Sequence, residues 1–182
     1  MTDTPIVLTA GSLADLNADI ATANGAGSGA YEIDLTANIQ LSSASGGVTQ
    51  IALNGATLAI NGANGSNPNF TLDGGSAQQG LYVYSGAVTI ENLTIAHAVA
   101  QGGTGSAGLG GGLFVGAAGA VTLNGVGFSG DKAIGATGGD GTSTGGGGGG
   151  KEFELGGSQP LAKAGRAASA AAQGAVVARA AI

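Results

Sequence analysis

Apolar and polar residues alternate in short runs along much of the chain. Glu32-Ile33-Asp34-Leu35, Thr57-Leu58-Ala59-Ile60, Phe70-Thr71-Leu72-Asp73, Leu81-Tyr82-Val83-Tyr84, Val88-Thr89-Ile90 and Leu93-Thr94-Ile95 each span three to five residues and are bounded by Gly, Asn or Ser. A period of two puts every second side chain on one face, so each run predicts a half-buried strand. Asn54-Gly55 and Asn61-Gly62 are turn dipeptides that tolerate positive φ. The period changes only near the N-terminus. Leu13, Leu16 and Ile20 have the spacing of one helical face, Ser12 stands where an N-cap is needed with Asp15 three residues on, and Asn24-Gly25 supplies a stop.

The runs repeat. Gly80-Leu81-Tyr82-Val83 matches Gly112-Leu113-Phe114-Val115 at an offset of 32 residues. Gly86-Ala87-Val88-Thr89-Ile90 matches Gly119-Ala120-Val121-Thr122-Leu123 at 33, as Leu93 and Ile95 match Val126 and Phe128, so one residue is inserted near Ala117. A period of this size marks stacked structural units. The unit is rich in Gly and β-branched residues, which fits three short strands with Gly corners and excludes a helical repeat. The fold expected is therefore all-β: a single-stranded parallel β-helix, or solenoid, with a short N-terminal capping helix. Its inward positions are expected to be Ile33, Leu35, Leu58, Ile60, Phe70, Leu72, Val88, Ile90, Leu93, Ile95, Leu113, Val115, Val121, Leu123, Val126 and Phe128.

This divides the chain into an N-terminal cap (1–29), coils (30–135), a Gly-rich loop or linker (136–150) and an Ala-rich tail (151–182). The tail holds four of the five basic residues, Lys151, Lys163, Arg166 and Arg179, and its composition favours helix. Two readings stay open for it: a segment foreign to the repeats, produced by a frame change or by cloning, or an Ala-rich helix covering the last coil.

Composition narrows the function classes. The 39 glycines and the 9% charged residues depart from usual globular proteins, which hold about 7% Gly and about 25% charge. Residues 1–150 contain nine acids and one base, Lys132. That stretch cannot form the basic patch that a nucleic acid requires. With no Cys and one His, thiolate and transition-metal sites are not expected. No apolar run reaches the about 20 residues of a membrane span. Met1–Leu16 lacks a basic start and carries Asp3 and Asp15, so no N-terminal signal peptide is expected; the chain then stays inside, leaves by a leaderless route, or is a fragment.

Phe70–Gly75, Gly80–Gly86, Val88–Ile95, Gly110–Val115 and Val121–Ala133 resemble the pectate-lyase-like, right-handed parallel β-helices of bacterial secreted proteins. The run Gly-Gly-Gly-Leu-Phe-Val, Val-Thr-Leu-Asn, Phe-Ser-Gly-Asp-Lys-Ala looks like autotransporter passengers and the leaderless, hemolysin-type proteins of type I secretion. The resemblance covers about residues 30–140 and implies an extracellular or cell-surface location. Two features of those families are missing: a membrane-barrel strand series and the calcium nonapeptide. The nearest match to the latter, Gly138–Thr144, has Ser143 in the Asp place. Their absence fits a truncated fragment.

Catalytic chemistry finds little support. Lyases on such folds use acidic clusters and an Arg or Lys base, and residues 1–150 have no Arg. Asp73, Glu91 and Asp131 are the candidate carboxylates for glycoside hydrolysis. None repeats on an adjacent coil: Glu91 aligns with Asn124 and Asp131 with Ala98. Asp73 before Gly74-Gly75 reads as a turn residue. His97, aligned with Gly130, reads as a solvated side chain. Asn54, Asn92 and Asn124 read as corner asparagines. Tyr82 and Tyr84 are the candidate glycan contacts, being two apart and hence on one face. If they point outward they can stack on sugar rings; if Leu81 and Val83 point outward, the pair is partly core, and the replacement by Phe114 and Gly116 in the repeat favours Tyr82 inward. The expected function is a non-catalytic structural or adhesin-like surface module, with no cofactor or metal. Its expected partners are a host-surface glycan or protein, and other copies of itself end to end. The alternatives are a fragment of a polysaccharide-binding or -degrading protein and a self-associating filament.

Overall fold

The computed structural model describes residues 4–63, 65, 69–104 and 106–136. The tail at 151–182, for which an Ala-rich helix is one expectation, the Gly-rich segment from 137 onward and the Gly138–Thr144 near-match lie outside the described residues.

The described chain is mostly strands in parallel sheets, with one short helix. Its elements are β1 (Ile6–Ala10), α1 (Leu13–Gly25), β2 (Ala30–Leu35), β3 (Ile39–Gln40), β4 (Ile51–Asn61), β5 (Phe70–Asp73), β6 (Leu81–Glu91), β7 (Leu93–Ala96), β8 (Val99–Gln101), β9 (Leu113–Asn124), β10 (Gly127–Ser129) and β11 (Lys132–Ile134). They form three separate sheets, with strand orders β1-β2-β4-β6-β9, β10-β7-β5-β3 and β11-β8. This corrects the expectation of a right-handed, single-stranded solenoid: the strands lie in separate sheets of five, four and two members. The repeat was read as one winding coil, but what it records is the register between sheet neighbours. Leu81 pairs with Leu113 and Val83 with Val115; past a register shift, Gly86 pairs with Gly119 and Ile90 with Leu123. The shift is the inserted residue.

Register explains the core. Ile33, Ile60, Ile90 and Leu123 are successive partners across the five-stranded sheet. In the four-stranded sheet Leu72, Ile95 and Phe128 align likewise. Identical positions on neighbouring strands stack their side chains on one face. Ile33, Ile60, Ile90, Leu72 and Ile95 are all buried, and each full burial contributes about 1.5–3 kcal/mol. Eleven of the sixteen expected inward positions are buried; the other five, Val115, Val121, Leu123, Val126 and Phe128, are half-buried and pack against the core cluster. Those five belong to the last layer, over which no further strand lies among the described residues.

The helix forms where the sequence places it. Ser12 Oγ accepts from Asp15 N at 3.2 Å and donates to the Asp15 carboxylate at 2.8 Å, a capping arrangement that satisfies helix-start groups. Leu16, Ile20 and Ala23 are buried. Asn17 and Asn24 tie the helix to the loop before β4 and to the start of β4, through Thr49 N on Asn17 Oδ1 (2.7 Å) and Ala52 N on Asn24 Oδ1 (2.8 Å). The strand before the helix, β1, pairs in parallel with β2 from Ile6↔Tyr31 to Ala10↔Leu35. Sequence reading placed these residues in a cap without a strand.

Glycine is obligatory at two kinds of position. Gly86 has φ +94° beside Leu53, and a side chain there would be strained whatever the space. Gly80 has an ordinary backbone but is pressed against the carbonyl of Gly112 on the next layer, leaving no room for a Cβ.

Candidate functional site

Strand alternation decides which way the tyrosines point. Leu81 and Val83 are fully buried, so Tyr82 and Tyr84 between them face outward. This corrects the leaning toward an inward Tyr82: Phe114, its partner across the ladder, is also on the outer face and only partly covered. Tyr82 packs edge-on against Phe114, with ring centroids 5.0 Å apart and planes at 73°. It packs edge-on against Tyr84 too, at 6.4 Å and 83°. Such T-shaped contacts match the positive edge of one ring to the negative face of another. Tyr84 is 54% exposed. Gly116 lies against the Tyr84 backbone and carries no side chain that could shield the ring. The result is a small outward aromatic cluster with one ring free to stack on a ligand.

A polar ladder ends the five-stranded sheet. Asp34, Asn61, Glu91 and Asn124 are register partners in sequence. Asn61 Nδ2 donates to Asp34 Oδ1 (3.1 Å), Asn92 Nδ2 to Asn61 Oδ1 (3.3 Å) and Asn124 Nδ2 to Glu91 Oε1 (2.8 Å). Asn92 and Asn124 are thus bonded corner asparagines, whereas Asn54 is exposed and outside the ladder. Glu32 stands beside this ladder. Its carboxyl is pushed above the ordinary range by burial first, then by the charges of Asp34 and Glu91 and a hydrogen bond with Asp34.

The remaining carboxylates do not assemble a hydrolytic pair. Asp73 ends β5 and accepts from Gly75 N at 2.8 Å, as a turn aspartate does. Its other oxygen lies 3.3 Å from His97 Nδ1. His97 has φ +48° and is exposed. Asp131 is only 4% exposed. Its Oδ1 accepts from Ala98 N at 2.7 Å, and its Oδ2 has no partner. Burial raises its pKa; hydrogen bonds from the Ala98 and Ser129 backbones and the charge of His97 act the other way, while the Asp73 charge adds to the rise. Asp73, His97 and Asp131 therefore share one corner, while Glu91 belongs to the polar ladder. Sequence alignment missed this grouping because it compared like positions, and Asp131 bonds the backbone of its own aligned position, Ala98. Among the described residues no group of three or more His, Asp or Glu is placed to hold a metal ion, and no helix is long and apolar enough to cross a membrane.

The chain matches no family model, no curated protein and no solved structure.

Proposed function

We propose that the chain is a non-catalytic recognition module of an extracellular or cell-surface protein, and that Tyr82, Tyr84 and Phe114 form its glycan contact. The carrying observation is the outward aromatic cluster, in which Tyr84 is 54% exposed and Tyr82 is braced edge-on between Tyr84 and Phe114. A braced ring loses little conformational freedom when a ligand stacks on its neighbour, and aromatic side chains offer large contact areas. The likeness of Gly110–Ala133 to secreted surface proteins supports the extracellular placing. The grouping of Asp73, His97 and Asp131 lacks the spaced, accessible carboxylate pair of a glycosidase, which favours binding over turnover.

The test is a glycan-array screen of the full chain with Tyr84→Ala and Phe114→Ala beside it, and circular dichroism to verify the fold. Selective binding that falls about tenfold in Tyr84→Ala, equivalent to about 1.4 kcal/mol, supports the reading. Binding that is absent, or indifferent to both variants, removes the glycan role.

A further inference from the structure

Among the described residues no strand covers the last layer. Val121, Leu123 and Phe128 are half-buried, whereas their register partners one layer back, Val88, Ile90 and Ile95, are buried. The edge of the five-stranded sheet is β9, twelve residues long with no charge and no proline. Edge strands usually carry such residues to prevent pairing with another chain; this one carries neither.

Charge selects the partner. The described residues hold seven acids (Asp15, Asp19, Glu32, Asp34, Asp73, Glu91 and Asp131) and one base, Lys132. Lys132 is exposed and its backbone lies against Gly111, just before β9 begins. Glu91 lies at the other end of β9, bonded to Asn124. An antiparallel pairing of two β9 strands sets the beginning of each against the end of the other. It brings Lys132 of each copy toward Glu91 of its mate, twice. The parallel alternative, β9 of one copy on the β1 edge of another, would leave Glu91 three strands away from Asp34 in the same column and would form no Lys132–Glu91 pair. Opposed charges favour the first arrangement, and the second offers no such pair.

We infer that this end of the molecule is an isologous interface for a second copy of the chain, joined head to head through antiparallel β9 strands. A two-fold contact of this kind closes on itself and stops at a dimer, whereas a head-to-tail contact would grow into a filament. The inference goes beyond the glycan reading and does not depend on it.

Sedimentation velocity of the full chain over a wide concentration range tests it, with circular dichroism on each variant. The expected result is a monomer–dimer equilibrium that saturates at the dimer. Lys132→Glu should weaken the dimer about tenfold, because two attractive rim pairs of up to about 1 kcal/mol each become repulsive. Combining Lys132→Glu with Glu91→Lys should restore it, and Leu123→Lys should abolish it. A chain that stays monomeric up to millimolar concentration has its end face covered by another segment or by solvent, and overturns the inference. Growth past the dimer, or a charge swap that fails to restore association in a folded protein, overturns it as well.

Discussion

Asn92 and Gly125 occupy the same corner on adjacent layers, both with left-handed backbone, at φ +50° and +63°. A single non-glycine residue held there costs about 1–2 kcal/mol relative to glycine, less for asparagine, whose short amide suits this region. Asn92 offsets that cost by donating to Asn61 and by its backbone N–H on the Asn124 carbonyl, at 2.8 Å. Gly125→Ala should therefore lower stability by about 1 kcal/mol, read as a shift in the urea midpoint at constant slope. Gly125→Asn should lose less than Gly125→Ala, since its amide could extend the ladder onto Asn92. Equal losses for the two would mean that the corner tolerates any residue.

Ile90 is fully buried between Ile60 and Leu123 in the ladder. Ile90→Asp would place a carboxylate among aliphatic side chains with no base near it. Burying an unpaired charge costs several kcal/mol or forces protonation or unfolding, so the variant should lose its cooperative thermal transition. Ile90→Val should retain it, at a cost of about 0.5–1.5 kcal/mol. An Ile90→Asp protein melting like the parent would place this side chain outside the core.

These two sites also show how far the sequence could be read. The repeat from residue 80 onward was visible because layers β6–β9 keep nearly the same length: Ile90 to Leu123 is 33 residues. Earlier layers are shorter, 27 residues from Ile33 to Ile60 and 30 from Ile60 to Ile90, so no fixed period marks them. Alternation gave the buried faces of Ile33, Leu58 and Leu72, whose environment is set by local period. It could not give the sheet count, because whether corners join strands into one winding sheet or several depends on backbone angles at residues such as Gly86 and Gly55. Alternation put Tyr82 and Tyr84 on one face without saying which, and their replacement by Phe114 and Gly116 in the repeat pointed inward, where the structure has them outward. The corner grouping of Asp73, His97 and Asp131 depends on turns, where side-chain direction has no period to read.

Ser12 couples the helix start to its first turn. Its hydroxyl accepts from Asp15 N while Asp15 accepts from Ser12 Oγ and, at 3.3 Å, from Gly11 N. Ser12→Ala removes the acceptor for one unpaired helix N–H and should cost about 1 kcal/mol. Because α1 seals Leu16 and Ile20 against the sheet, the loss should appear as faster hydrogen exchange in Leu13–Ile20 as well as a lower midpoint. Ser12→Asp should keep most of the stability, since aspartate caps equally well, although it faces Asp15. An alanine variant with unchanged exchange would show that packing alone fixes the helix.

Asp131 gives the molecule an acid-side dependence whose sign can be worked out. Its carboxyl is raised above the ordinary value of 3.8, chiefly by burial, so near that pH the folded state holds the proton more tightly than the unfolded chain does. Stability then falls as pH rises through the window just above 3.8 and is greatest below it. Asp19, raised by burial and by the charge of Asp15, and Glu32 act in the same direction. Melting temperature should therefore rise as pH is lowered from neutral toward about 4, opposite to proteins whose carboxylates are held by bases. Asp131→Asn keeps an acceptor for Ala98 N and removes one titration, so it should flatten part of this slope. An unchanged slope in the folded variant would mean that the backbone N–H groups of Ala98 and Ser129 outweigh desolvation and keep Asp131 ionised throughout.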